Sequence, residues 1–258
     1  MTSPYWDEVA GEWRASPQTL WRAHSDAVNS ALFERWFPPR RVARVLKTDL
    51  FDEGVGRGLY DLLSAHACHV VGMDISTEVA RAARSNHPHL TATGADVRRL
   101  PFAEGAFDVV VSNSTLDHFD SLAEVLGSLR ELRRVLRTDG ELLLTLDNLL
   151  NPVVALRNSL PFALLHRLGL VPYRVGATCG PRRLCRMLRE AGFEVLDRAV
   201  VMHCPRVLAV ALARLCENRA GARMRQRVLG WWDAFEILAR WPTRSLTGYF
   251  IAVRAVKR

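Results

Sequence analysis

The sequence predicts an α/β protein built on a doubly wound, mainly parallel sheet. Three features of the chain carry that prediction. Between residues 45 and 147, short apolar runs alternate with amphipathic stretches, the rhythm of strand–helix–strand units. Some runs are apolar almost throughout, as in Phe107-Asp108-Val109-Val110-Val111, which suits strands covered on both faces. A glycine turn, Asp52-Glu53-Gly54-Val55-Gly56-Arg57-Gly58, separates the first apolar run from the first helix-like stretch.

Pro4 to Phe37 reads as two helices, with Leu20, Trp21, Val28, Ala31, Leu32 and Trp36 at helical spacing and Pro38-Pro39 as the stop. A first strand is expected over Val45 to Asp52, then the glycine turn, then a helix carrying Leu59, Leu62 and Leu63. His69 to Asp74 is a second strand, and Ser76 can cap the helix that runs to Asn86. Leu90 to Asp96 is a weaker strand and Phe107 to Asn113 a strong one. Ser121 and Glu124 make a capping box ahead of the stripe Leu122, Val125, Leu126, Leu129, Leu132 and Leu136. Asp139-Gly140 is expected to end that helix before a strand over Glu141 to Leu146. The rhythm then breaks at 149–180, which holds Pro152, Pro161 and Pro172. Pro181 suits the first turn of a helix with Leu184, Met187 and Leu188. Phe193 to Val201 reads as a strand, 205–243 as helical, and Tyr249 to Val253 as a last, antiparallel strand. One domain over 1–258 is expected. Residues 1–41 form a helical cap, 42–148 the core, 149–180 and 205–243 a helical lid, and 181–204 and 244–258 the end of the sheet.

The 258 residues are 49% hydrophobic and 24% charged, enough to bury a sizeable core. With no apolar run of about 18 residues, no membrane span is expected. The stretch from Met1 to Asp7 lacks a basic region followed by an apolar one, so no signal peptide is expected and the chain is placed in the cytoplasm. Five cysteines, none in a C-x-x-C pair, fit free thiols there. The net charge of +8 is almost all arginine, spread without a basic block, so no nucleic-acid partner is expected.

A glycine turn after a first strand brings backbone N–H groups close to a ligand. The dinucleotide fingerprint G-x-G-x-x-G would need glycine at 59, where leucine stands; the third glycine is Gly58, and Asp52 precedes the first. The pattern is D-x-G-x-G-x-G. It resembles the class I S-adenosylmethionine-dependent methyltransferases, within them the small-molecule, ubiquinone-biosynthesis-like group. Motifs over about 42–147 carry the resemblance, including Leu100-Pro101-Phe102 and Phe107-Asp108. It implies a Rossmann-like fold, S-adenosylmethionine as cofactor and methyl transfer to O, C or N of a small molecule. It places Asp52, with Glu53, Gly54 and Gly56, at the cofactor's methionine end, Asp49 being a second candidate for that acid. It assigns Asp74 to the ribose hydroxyls, Ile75 to the adenine face, Asp96 and Val97 to the adenine edge, and Asn113-Ser114 to the methyl-transfer site. A carboxylate can accept from both hydroxyls of a ribose. A non-catalytic cofactor-binding module and an NAD(P)-dependent oxidoreductase remain as alternatives.

The methyl donor is already activated, so positioning and desolvation can suffice. His118, just after the fourth strand, is the candidate base, against a loop histidine that only packs. His24 is a weaker candidate, and His203 and Cys204 read as structural. The Asn-Pro-Pro-Tyr pattern of amino-methylating enzymes is absent after the fourth strand, which argues against nucleobase amines. Asp147-Asn148 is read as a strand-end turn and no metal is expected. Trp231, Trp232, Phe235 and Trp241 are either helix core or an apolar wall for an aromatic or lipid-like acceptor. Tyr5 and Trp6 either fold over the cofactor or staple the first helix.

Overall fold

In the computed structural model, which describes residues 3–15, 18–168, 171, 173–217 and 221–258, the apolar runs pair into one sheet of seven strands. Pro172 lies outside the described residues. The chain runs through helices α1 (Ser3–Ala15) and α2 (Thr19–Trp36) into β1 (Val42–Lys47). Two short helices, α3 (Phe51–Val55) and α4 (Tyr60–His66), lead to β2 (Ala67–Asp74), α5 (Thr77–Asn86), β3 (Thr91–Gly94) and β4 (Phe107–Asn113). Then come α6 (Leu122–Val135), β5 (Leu136–Asp147), α7 (Pro152–Ser159), α8 (Phe162–Arg167), α9 (Pro181–Glu190) and β6 (Phe193–Val201). The chain closes with α10 (Arg206–Glu217), α11 (Ala222–Ala234), α12 (Arg244–Thr247) and β7 (Phe250–Lys257).

Strand order is β3-β2-β1-β4-β5-β7-β6. The first five strands pair in parallel, and β7 lies antiparallel between β5 and β6. The order reverses direction between β1 and β4, the switch point beyond whose strand ends ligands bind in such sheets. Apolar side chains cover both faces. Val45, Val109, Val111 and Leu143 join the α2 side, while Leu46, Val110, Leu142 and Leu144 pack beneath α6 and α9. Both expected helix caps form. Ser76 Oγ accepts from Val79 N at 3.1 Å and Ser121 Oγ from Glu124 N at 3.3 Å, each satisfying an orphan N–H of the first turn.

Beyond shifted ends of β2, β3 and β7, two departures from the expectation stand out. The first strand stops at Lys47 rather than at Asp52. Asp49 Oδ1 accepts from Phe51 N at 2.9 Å, an aspartate turn that starts α3, so Asp52 sits on a helix. At Asp139-Gly140 the helix has already ended, at Val135, and β5 is under way. The register of β5 on β4 jumps from Leu136↔Phe107 to Glu141↔Val109, so residues 137–140 form a bulge inside the strand, with Asp139 at φ 59°. Gly140 fits there because a Cβ would press on the carbonyls of Arg137 and Asp108. Among the described residues no helix is long and apolar enough to cross a membrane.

Candidate active site

A cleft opens beyond the C-terminal ends of β1, β2 and β4, roofed by α1, α2 and the segment around Tyr173. Asp52, Asp74, Ile75, Asp96, Val97, Asn113 and His118 all stand on its wall, as does Asp49. Glu53, Gly54 and Gly56 do not. The helical turn α3 points Glu53 into the protein, where its Oε2 meets Lys47 Nζ at 2.7 Å and its Oε1 accepts from Leu59 N at 2.8 Å. Lys47 and Glu53 are each 1% exposed. Burial alone would lower the lysine's pKa, but Glu53, Asp49 and Asp52 more than offset it and hold the ammonium charged. Gly54 faces α5 at Val79 instead of a ligand, and Gly58 turns at φ 55° against the Glu53 carboxylate. The glycine stretch thus packs a strand end on a buried ion pair. Nothing in the sequence pattern marks this pair, since Lys47 falls within the strand expected over Val45 to Asp52.

The acids of the cleft are crowded. Asp74 ends β2, 7% exposed; its Oδ2 accepts from Leu50 N at 3.0 Å and its Oδ1 from Ser76 N at 2.8 Å. Ser76 Oγ in turn donates to Asp7, which ties α1 to the site. Burial, with the nearby Asp49 charge, pushes Asp74 up to about 7. Asp49 is itself pushed up by burial and by Asp52. On α2, Asp26 rises to about 7 through burial, Asp52 and Glu53. Asp52 is met by Arg22 at 2.6 Å. Asp96 is the exception: burial is outweighed by Arg98, which holds both its oxygens and keeps its carboxyl below the usual range. Asp49, Asp52, Asp74 and Asp96 thus gather on one cleft wall in a chain of net charge +8, with Asp26 close behind them.

Past β4 the wall changes character. Asn113 Oδ1 accepts from Thr145 Oγ1 at 2.7 Å, leaving its amide to donate into the cleft. His118 lies edge-on to Trp6 and Tyr173, with ring centroids 4.7 Å and 5.5 Å away. Its Nε2 is 3.7 Å from Asp117 Oδ1, beyond hydrogen-bond range. That Asp117 oxygen is buried without a partner among the described residues, while Oδ2 accepts from Ser114 Oγ at 2.9 Å. Burial and the Asp147 charge push the Asp117 carboxyl up, only partly countered by His118.

The aromatic wall is Trp6, Trp21, Phe51, Phe119, Tyr173 and Phe250. The tryptophans singled out at 231, 232 and 241, and Phe235, are not part of it. Trp232 is buried against Trp21 and His24, whereas Trp231 and Trp241 face solvent. His24 is fully buried, with Nδ1 2.8 Å from Asp233 Oδ1, and stands behind the wall. His203 bonds Thr247 and Val200, and Cys204 is buried beside it. Trp6 covers the cleft, while Tyr5 OH accepts from Arg174 N at 2.8 Å. The sequence reading missed Arg22, Tyr173 and Arg206, which reach the cleft from distant segments.

A protein-family model described as "Methyltransferase domain" matches residues 51–144. Malonyl-[acyl-carrier protein] O-methyltransferase of Enterobacter lignolyticus is 32% identical over 126 residues, 49% of this chain and 45% of that protein. Demethylmenaquinone methyltransferase of Beutenbergia cavernae is 31% identical over 124 residues, 48% of this chain and 45% of that one. The match thus spans less than half the length of either relative. Among solved structures, an S-adenosylmethionine-dependent methyltransferase from Mesorhizobium loti superposes with a TM-score of 0.57 at 15% identity, over 88% of this chain and 96% of the other. At that identity the likeness speaks for the fold.

Proposed function

The chain belongs to the class I S-adenosylmethionine-dependent methyltransferases, and from that premise we propose that it methylates O, C or N of a small molecule held beside His118. The observation that carries this is the acid-lined cleft at the switch point of the sheet. Bound S-adenosylmethionine supplies a methyl group already activated on a sulfonium, together with an ammonium, and the crowded acids suit both charges. Asp74 keeps free lone pairs for the two ribose hydroxyls after accepting its two backbone N–H groups. Ile75 and Val97 offer apolar surface to the adenine, with Asp96 at its edge. The ammonium falls to Asp49, whose Oδ2 is uncommitted among the described residues, with Asp52 held by Arg22 beside it. Asn113 donates near the transfer site. His118, with Asp117 behind it, accepts the acceptor's proton, and Trp6 and Tyr173 exclude water there.

The roof, from 1–41, 149–180 and 205–243, sets acceptor choice over a core at 42–148. Its aromatic lining suits an acceptor with an aromatic or lipid-like body. The same acids oppose a pyrophosphate or a nucleic-acid backbone, which disfavours both an NAD(P) cofactor and a nucleic-acid acceptor. Five free cysteines are in keeping with the cytoplasm. Calorimetry with S-adenosylmethionine, S-adenosylhomocysteine and NADPH tests the cofactor, followed by mass spectrometry of a panel of acids, phenols and quinols for added methyl. Binding of NADPH alone overturns the proposal.

A further inference from the structure

Besides its acids, the cleft carries a cation. Arg206, the first residue of α10, lines the cleft. Its guanidinium lies 5.8 Å from the Trp21 ring and 4.8 Å from the Tyr249 ring, and donates to Tyr173 OH at 3.4 Å. Among the described residues no carboxylate stands within salt-bridge distance of it. Asp147, whose charge is felt there, is taken by Arg157 at 2.6 Å. Arg157 also donates to Tyr249 OH at 2.7 Å. Two guanidinium groups therefore share one carboxylate in a corner closed by aromatic rings. Burial opposes the Arg206 charge, but the surrounding tyrosines and Asp147 favour it and the group stays protonated. Arg206 is half-buried, so a carboxylate brought to it would gain more than it would in open water.

We infer that Arg206 anchors a carboxylate of the methyl acceptor, whose apolar body packs among Trp21, Tyr173 and Phe250. The inference deepens the methyl-transfer reading of this cleft and rests on it. A guanidinium presents five N–H donors in a planar fork that matches a carboxylate with two parallel bonds. The surrounding charges favour a monoanion. One carboxylate would give Arg206 the partner it lacks at salt-bridge distance among the described residues, whereas a phosphate dianion would bring a second negative charge toward the acids at Asp49 and Asp52. Arg206 acts on acceptor choice, with no role in holding the cofactor.

The full chain, saturated with S-adenosylhomocysteine, is titrated calorimetrically with benzoate, phenylacetate, phenylpropionate and octanoate, each beside its amide, and with phenyl phosphate. At least one acid is expected to bind about tenfold or more tightly than its amide, as losing a charge-assisted bond implies. Arg206→Gln should erase that preference and Arg206→Lys should keep part of it, with S-adenosylhomocysteine affinity unchanged in both, which also shows that they fold. If Arg206→Gln does not fold, Arg206→Lys decides, and undiminished acid preference there overturns the anchor. So does an acid preference that survives Arg206→Gln, a panel with no preference for acids, or tightest binding by phenyl phosphate. Failure of S-adenosylhomocysteine to bind the parent chain strikes the methyl-transfer reading separately, and the acids are then titrated into the chain alone by the same criteria.

Discussion

Replacing Lys47 by methionine removes one half of a buried ion pair while keeping the volume of the side chain. Glu53 would remain 1% exposed, with Leu59 N on one oxygen and nothing on the other, and the Asp49 carbonyl would lose its donor. Stranding one member of such a pair costs about 3–5 kcal/mol. The loss depends on pH in a defined sense. Without the ammonium, the folded Glu53 carboxyl titrates above its ordinary 4.5, so folded protein holds the proton better than unfolded chain. Stability of Lys47→Met therefore falls as pH rises through and above that value, and part of the loss is recovered in mild acid. In the double variant Lys47→Met/Glu53→Gln the stranded charge is gone and Leu59 N keeps its acceptor. It should be more stable than Lys47→Met alone, the two changes being strongly non-additive. Urea unfolding followed by tryptophan fluorescence at pH 8 and pH 5.5 measures all three proteins. A loss under about 1 kcal/mol at pH 8 for Lys47→Met, the typical worth of an exposed pair, refutes the reasoning. Equal losses at the two pH values, or simple additivity in the double variant, refute it too.

Asp74→Ala and Asp96→Ala should each weaken S-adenosylmethionine binding about 10- to 100-fold, the worth of hydrogen bonds to a charged group, with calorimetry as the readout and unchanged affinity in a folded variant as the contrary result. Because burial and the Asp49 charge push Asp74 from its ordinary 3.8 up to about 7, its proton must leave before the carboxylate can accept from both ribose hydroxyls. Cofactor affinity should therefore rise from pH 5.5 to pH 8, with proton release detectable at pH 6.5 by titration in buffers of different ionisation heat. Asp74→Asn should lessen both effects, although Asp49 and Asp26 keep a share; a flat profile in the parent chain contradicts this. Gly176→Ala would drive a Cβ into the Phe119 carbonyl, where the chain crosses with bonds from Gly176 N to Asp117 O at 2.7 Å and from Ala177 N to Phe119 O at 2.6 Å. Displacing Tyr173 from His118 in this way should cut turnover about tenfold or more with a folded core; parent-like turnover would show that the crossing does not position His118.

Local chemistry in this chain was legible from the sequence, and long-range pairing was not. β4 over Phe107–Asn113 and β6 over Phe193–Val201 were expected at the ends they have, because apolar runs bounded by polar turns declare themselves. Ser76 and Ser121 cap as their spacing implies. The glycine turn misled, because D-x-G-x-G-x-G says nothing of where Glu53 points. That depends on Lys47, which the apolar-run pattern counted as part of a longer strand. Residues 137–140 looked like a helix-ending turn because a bulge and a turn draw on the same Asp-Gly chemistry. Arg206 and Tyr173 were invisible for another reason. Their partners Trp21 and Tyr249, and His118, lie far off in sequence, and no local period records such meetings.

The antiparallel β7 also governs the order in which the molecule can be completed during synthesis. β1 to β5 can pair among themselves as soon as residue 147 has emerged. β6 cannot, since its register is written entirely on β7, from Phe193↔Lys257 to Val201↔Phe250. Asn148 and Asn151 likewise send their amides to carbonyls between Ser245 and Gly248. The part of the cleft lined by Asp49, Asp74 and Asp96 can thus take shape before the corner holding Arg157, Arg206 and Tyr249, which closes only once residues 245–257 are free to insert. With the roles proposed for these residues, a nascent chain would gain the means to hold its cofactor before it gained the means to choose an acceptor.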